Sequence, residues 1–129
     1  MLDGAGRDRA EGETFEMKNG LYSIELRGLD RVDWPKGGVA ILRDGVMLGG
    51  GPYTYFSGSY SLHEGIFKGE VVLNQHTAMP LGHLFFGARD VGMGVSGSYA
   101  NDEAELTGTA LIGKRSVAVS LHLRMLADA

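Results

Sequence analysis

The chain has 129 residues, 43% of them hydrophobic and 22% charged, with a formal charge of −4 and no cysteine. Such a composition describes one ordinary globular domain, able to bury roughly two thirds of its unfolded surface, and excludes a disulfide framework. The twelve basic residues are scattered, Lys114-Arg115 being the densest pair, which argues against direct nucleic-acid binding because phosphate neutralisation needs grouped Lys and Arg.

Residues 1–18, "MLDGAGRDRAEGETFEMK", mix acids, bases and glycines without periodicity or an apolar run. They read as a flexible leader rather than a signal peptide. Met17, directly before "KNGLYSIEL", is an alternative start for a single folded domain expected over 19–127. From residue 20 the dominant period is two. Tyr22, Ile24 and Leu26 fall on one face of 21–27, and Ser23, Glu25 and Arg27 on the other, as in a half-buried strand. Further strands are expected near 38–43, 45–50, 53–61, 65–75, 93–100 and 103–112. An eighth and final strand alternates Val117, Val119, Leu121, Leu123 and Met125 with Ala118, Ser120, His122 and Arg124. Asp44-Gly45 is a strong hairpin signal; His63-Glu64, Asn101-Asp102-Glu103 and Gly113-Lys114 are turn candidates. Only "TAMPLGHLFFGARD" (77–90) breaks the pattern. Its Leu81, Leu84 and Phe85 at helical spacing, after Pro80 and before Gly87, predict a short helix over 78–87 that plugs one end of the fold. The sum is an all-β fold: an eight-stranded up-and-down antiparallel barrel of lipocalin/calycin type.

Glycine is the compositional outlier, 21 of 129 residues, or about twice the usual ~7%. "FSGSY" (56–60) and "FKGEV" (67–71) are echoed 39 residues later by "VSGSY" (95–99) and "LTGTA" (106–110). With a turn at His63-Glu64, Gly58 is expected opposite Gly69, and by the same offset Gly97 opposite Gly108. All four share a phase with bulky neighbours such as Phe56, Tyr60, Phe67 and Tyr99, and so are expected to point inward, where bare backbone lets a sheet coil. The alternative is that they mark bulges at the edge of an open sandwich.

Catalytic signals are few, and the chain reads as a non-enzyme. "GGGPYTY" (49–55) lacks the Lys-Ser/Thr and the following helix of a phosphate loop. His63, His76, His83 and His122 lack metal-ligand spacing, and no nucleophile elbow is present. No metal or cofactor is expected. An inward set of Tyr22, Phe56, Tyr60, Phe67 and Tyr99 would line a lumen for a small apolar ligand, making a lipocalin-like carrier or sensor one functional reading. An outward apolar strip of Tyr53, Tyr55, Ile66, Val72 and Leu111 fits a homodimer.

"MKNGLYSIEL" and "GVAILRDGVMLGGGPYTYFSGSY" resemble the GrlR-like family of negative regulators of type III secretion in bacteria, best over 17–76 and more loosely over 77–126. The matching features are the Gly-Leu-Tyr-Ser-Ile opening, the "ILRDG…GG" hairpin and the Tyr/Phe-x-Gly strand. The resemblance implies a lipocalin-like barrel with a small helix that dimerises and inhibits by binding a transcriptional activator. Separately, the lack of cysteine is compatible with a cytoplasmic location and no stretch is long enough to span a membrane, so no membrane insertion is expected. The family's acidic run after the strand matching 54–61 is reduced here to Glu64 in "SLHEG" (61–65). Asp102, Glu103 and Glu105, in the equivalent turn of the second hairpin, are the candidates to stand in for it, the alternative being that they only keep a hairpin tip soluble. A protein-binding regulator is therefore the first functional reading and the ligand carrier its alternative.

Overall fold

The computed structural model describes residues 14–28, 37–78 and 89–129. Eight strands follow in order: β1 (Gly20–Gly28), β2 (Gly38–Arg43), β3 (Val46–Gly50), β4 (Thr54–His63), β5 (Ile66–Gln75), β6 (Val91–Ala100), β7 (Glu103–Ile112) and β8 (Arg115–Asp128). Each pairs antiparallel with its neighbour, and β1 also pairs with β8, so the sheet closes into a barrel and none of these eight strands is an edge. The expected helix over 78–87 falls, apart from Ala78, outside the described residues. Among those described, no helix is long and apolar enough to cross a membrane.

Hairpin chemistry sets the register. Asp44-Gly45, Glu64-Gly65 and Asn101-Asp102 each place two consecutive residues at positive φ: 51° and 86°, 46° and 87°, 53° and 59°. That is the type I′ geometry whose twist matches the flanking strands. The β4–β5 turn is thus Glu64-Gly65 rather than His63-Glu64, because the second position needs a left-handed backbone that glycine adopts without strain. The shift moves the pairing by two residues. Gly58 lies opposite Val71, and Tyr60 opposite Gly69; likewise Gly97 faces Leu106, and Val95 faces Gly108. The glycines do sit in the inward phase, but they are not opposite one another.

What lies opposite them is more informative. Phe56 pairs with Gly49, Tyr60 with Gly69, and Phe67 with Gly97. Tyr22 pairs with Ala40, and Tyr99 with Ala104. Each inward aromatic ring thus has a residue with little or no side chain beside it, which leaves it room to lie across the neighbouring strand. Tyr60 and Phe67 stack with ring centroids 5.4 Å apart and 13° between their planes. The rest of the interior is aliphatic, with Leu42, Val117, Val119 and Leu123 nearly inaccessible, and no polar or charged residue is buried among the described residues. One bulge interrupts the β1–β8 ladder. Leu21 pairs with Ala127 and Tyr22 with Met125, leaving Leu126 unpaired on the outside.

Candidate protein-binding groove

Residues 14–18, expected in a flexible leader, form with Asn19 a strap across the barrel end that carries the β2–β3, β4–β5 and β6–β7 turns. The Asn101 and Asp102 amides donate to the carbonyls of Thr14 and Glu16 at 2.8 and 2.9 Å. In return the Thr14 amide donates to Asn101 Oδ1, and the Lys18 amide to Asp102 Oδ1 at 2.8 Å. Lys18 Nζ lies 2.9 Å from Asp102 Oδ2. Asn19 and Asp44 exchange two hydrogen bonds of 3.0 Å, tying the strap to a second turn. The apolar strap residues turn towards the barrel: Met17 is buried in the core, and Phe15 meets Tyr99 edge-on at 6.5 Å. Residues 1–13 lie outside the described part.

This changes the role of Asp102. Its carboxylate is internal to the strap junction, where burial raises its pKa but hydrogen bonds and charge from Lys18 outweigh that and hold it below the ordinary aspartate value. The Lys18 ammonium is raised in turn, first by its hydrogen bond to Asp102. Asp102 is therefore committed within the molecule. Beneath the strap the Tyr22 hydroxyl donates to the Lys18 carbonyl at 2.5 Å, and burial pushes its phenol well above the usual value.

The other three acids come together. The β4–β5 and β6–β7 tips are neighbours at this end, joined by a hydrogen bond from the Tyr99 amide to the Gly65 carbonyl at 3.0 Å. Between them runs a groove of about 580 Å³, edged by Glu64, Glu103 and Glu105, with Phe15, Ile66 and Tyr99 among its apolar lining. The ladder explains its shape: Ile66 pairs with Ser98, and Ser98 with Glu105, so a small side chain sits between an apolar wall and an acidic one. Ile66 is 48% exposed. His122, next along this row, lies 2.5 Å from Glu105 through Nδ1 and 3.4 Å from Glu103 through Nε2. Both carboxylates remain largely open to solvent.

The remaining site candidates are distributed differently from the sequence expectation. Tyr22, Phe67 and Tyr99 are buried in the core at the strap end, with Tyr60 partly buried against them. Of the five lumen candidates only Phe56 lines the free space at the opposite end, with Ile24, Leu26, Leu73, Met93 and Leu121. That space is about 70 Å³, under half the roughly 150 Å³ of an engineered cavity that admits benzene. Of the dimer-surface candidates, Tyr55 and Val72 share an outer face, whereas Tyr53 is half-buried, Ile66 lies in the groove and Leu111 on β7. The sequence reading missed Val39, Ile41 and Leu48, which complete that face. Leu21, Ile41, Leu48, Ser57 and Val72 form one continuous row across five strands. The signal was "GVAILR", apolar in both phases, so that one phase had to face out. Phe15 and Met17 were missed too, although they alternate with Thr14, Glu16 and Lys18 as in extended chain.

Compared with known proteins, the chain matches no family model and no curated protein.

Proposed function

We propose that this chain is a non-enzymatic regulatory protein that binds a protein partner such as a transcriptional activator, as its resemblance to negative regulators of type III secretion implies. The observation that carries the reading is the groove between the two hairpin tips. Three outward carboxylates, Glu64, Glu103 and Glu105, gather beside an apolar floor that includes the half-buried Phe15 and the exposed Ile66. Such a surface attracts a basic segment at long range and offers apolar area to hold it. The carrier alternative is less well supported, since the free lumen lined by the described residues is small and the aromatic residues expected to line it are mostly buried in the core. The outer row of Ile41, Leu48 and Val72, flanked by Val39 and Tyr55, is the face by which two copies form the homodimer.

The test is affinity capture from cells of the source organism with the wild-type chain and with Glu64→Lys/Glu103→Lys/Glu105→Lys. Asp102 is left intact because it holds the strap. The wild-type chain is expected to retain a basic regulatory protein that the triple variant, folded by circular dichroism, does not. Identical capture by both removes the groove from the reading.

A further inference from the structure

We propose that His122 is a proton-operated counter-charge to the acidic wall of this groove, so that the groove holds a basic partner more tightly as pH rises through the neutral range. The inference rests on the protein-binding reading and adds the regulation of that site.

The ladder sets the placement. On the outer face His122 of β8 stands between Glu25 of β1 and Glu105 of β7, its partners in the two neighbouring strands. A cation at the centre of such a row is favoured by both neighbours, because opposite charges directly across a strand pair attract. Glu103 approaches the same ring from the next outward position of β7. The other charged residues beside it are Arg27, which shares a recess with His122 and Glu25, and Arg124, opposite Glu103. Arginine keeps its charge throughout. Of the side-chain types gathered here, only imidazole ordinarily gains or loses a proton between about pH 5 and 8.

Both ring nitrogens face a carboxylate. Glu105 Oε2 lies 2.5 Å from Nδ1, and Glu103 Oε1 lies 3.4 Å from Nε2. A neutral imidazole carries one N–H and an imidazolium two. With the single proton on Nδ1, serving Glu105, Nε2 keeps a lone pair beside the Glu103 carboxylate. That nitrogen is shielded from water and makes no hydrogen bond among the described residues. A second proton gives Glu103 a donor to close upon and cancels one of the two negative charges. Its loss restores both charges on side chains 50% and 68% exposed, which then meet an incoming cation. The linkage is reciprocal: a bound basic partner promotes release of the proton by the same factor. Because the two carboxylates address opposite ring nitrogens, the three side chains do not converge on one point, and among the described residues no group of three could hold a metal ion. His63 lies 3.4 Å from Glu64 at the other hairpin tip, but both side chains are at least 80% exposed, where such a contact is weak.

The experiment is fluorescence anisotropy of rhodamine-labelled hepta-arginine at about 10 mM ionic strength, where screening is weak, at about pH 6 and about pH 8.5. The intact chain is expected to bind about threefold or more tightly at the higher pH, the effect of removing one charge a few ångströms from the bound cations. His122→Gln should bind at both pH values as the intact chain does at the higher one. His122→Lys, with a fixed cation, should bind at both no more tightly than the intact chain does at the lower one. His63→Gln should keep most of the pH dependence. Circular dichroism establishes that each variant is folded, and either His122 variant alone decides the matter. Affinity of the intact chain that is level with pH, or a pH dependence that survives in a His122 variant, overturns the inference and leaves the groove's attraction for cations standing. Equal affinities of the glutamine and lysine variants, the mark of a merely structural histidine, overturn it as well. Binding that is absent at both pH values, or unmoved by Glu103→Lys/Glu105→Lys, removes the groove reading and the inference with it.

Discussion

Adding one methyl group at Gly58 and at Gly69 separates two kinds of inward glycine. At Gly58 an added Cβ would run into the Glu70 carbonyl oxygen and lie 2.7 Å from Val71 Cα. Both obstacles are backbone of the paired strand β5, so relief requires β4 and β5 to part. The cost combines overpacking, about 1–3 kcal/mol, with one or two weakened ladder hydrogen bonds of about 1 kcal/mol each. At Gly69 the nearest atoms are the Ser59 carbonyl oxygen at 3.1 Å and the flexible Met47 Cε at 3.3 Å. A shift of a few tenths of an ångström accommodates them, and replacing glycine restricts the unfolded chain by about 0.4–1 kcal/mol in favour of folding. Gly58→Ala is therefore expected to destabilise by about 3 kcal/mol, and Gly69→Ala to stay within about 1 kcal/mol of wild type. Ser57→Ala, on the outer face of the same strand, should remain within about 0.5 kcal/mol. Urea denaturation followed by far-ultraviolet circular dichroism measures all three. Equal losses at Gly58 and Gly69 would refute the claim that close approach of the strands, rather than glycine's general poverty as a strand residue, fixes the positions.

Two further outcomes follow from the strap and the outer face. Asp102 is depressed below about 3.8, so its contribution to docking the strap is present above about pH 4 and is lost as pH falls through the folded value. Lys18 is raised above 10.5, so its contribution is complete below about pH 10 and is lost as pH rises through the folded value. Proteolytic nicking near Phe15 should consequently stay slow and level between about pH 4.5 and 9.5, and Asp102→Asn should accelerate it within that window; an unchanged rate in the variant would separate the carboxylate from the strap. Leu48→Lys, placing a charge at the centre of the outer apolar row, should convert the proposed dimer to a monomer in analytical ultracentrifugation with little change in melting temperature. An unaltered molar mass would move the dimer contact elsewhere.

Much of the barrel was legible because its information is local. Period-two alternation in "LYSIELR" and in 117–125 located strands and their inner faces, and the glycines' inward phase followed from their aromatic neighbours. The register was misread by two residues for a local reason as well. Glu64-Gly65 was passed over as the turn although its glycine offers the positive φ that a type I′ hairpin requires. The strap was illegible on different grounds. Thr14 to Asn19 are fixed by turns 25 to 87 residues away, largely through main-chain groups that every residue possesses. Asp102 and Glu103 are adjacent in sequence, yet the first is spent holding the strap and the second faces the groove. Nothing in "NDEAE" distinguishes them.

The most direct measurement is a map of backbone amide chemical shifts of the isotopically labelled chain as the captured partner is added. The changes are expected to concentrate at Phe15, Glu64, Ile66, Ser98, Glu103 and Glu105, around the two hairpin tips. Changes centred instead on Leu26, Phe56, Leu73 and Met93, at the far end of the lumen, would contradict a protein-binding groove and restore the ligand-carrying barrel.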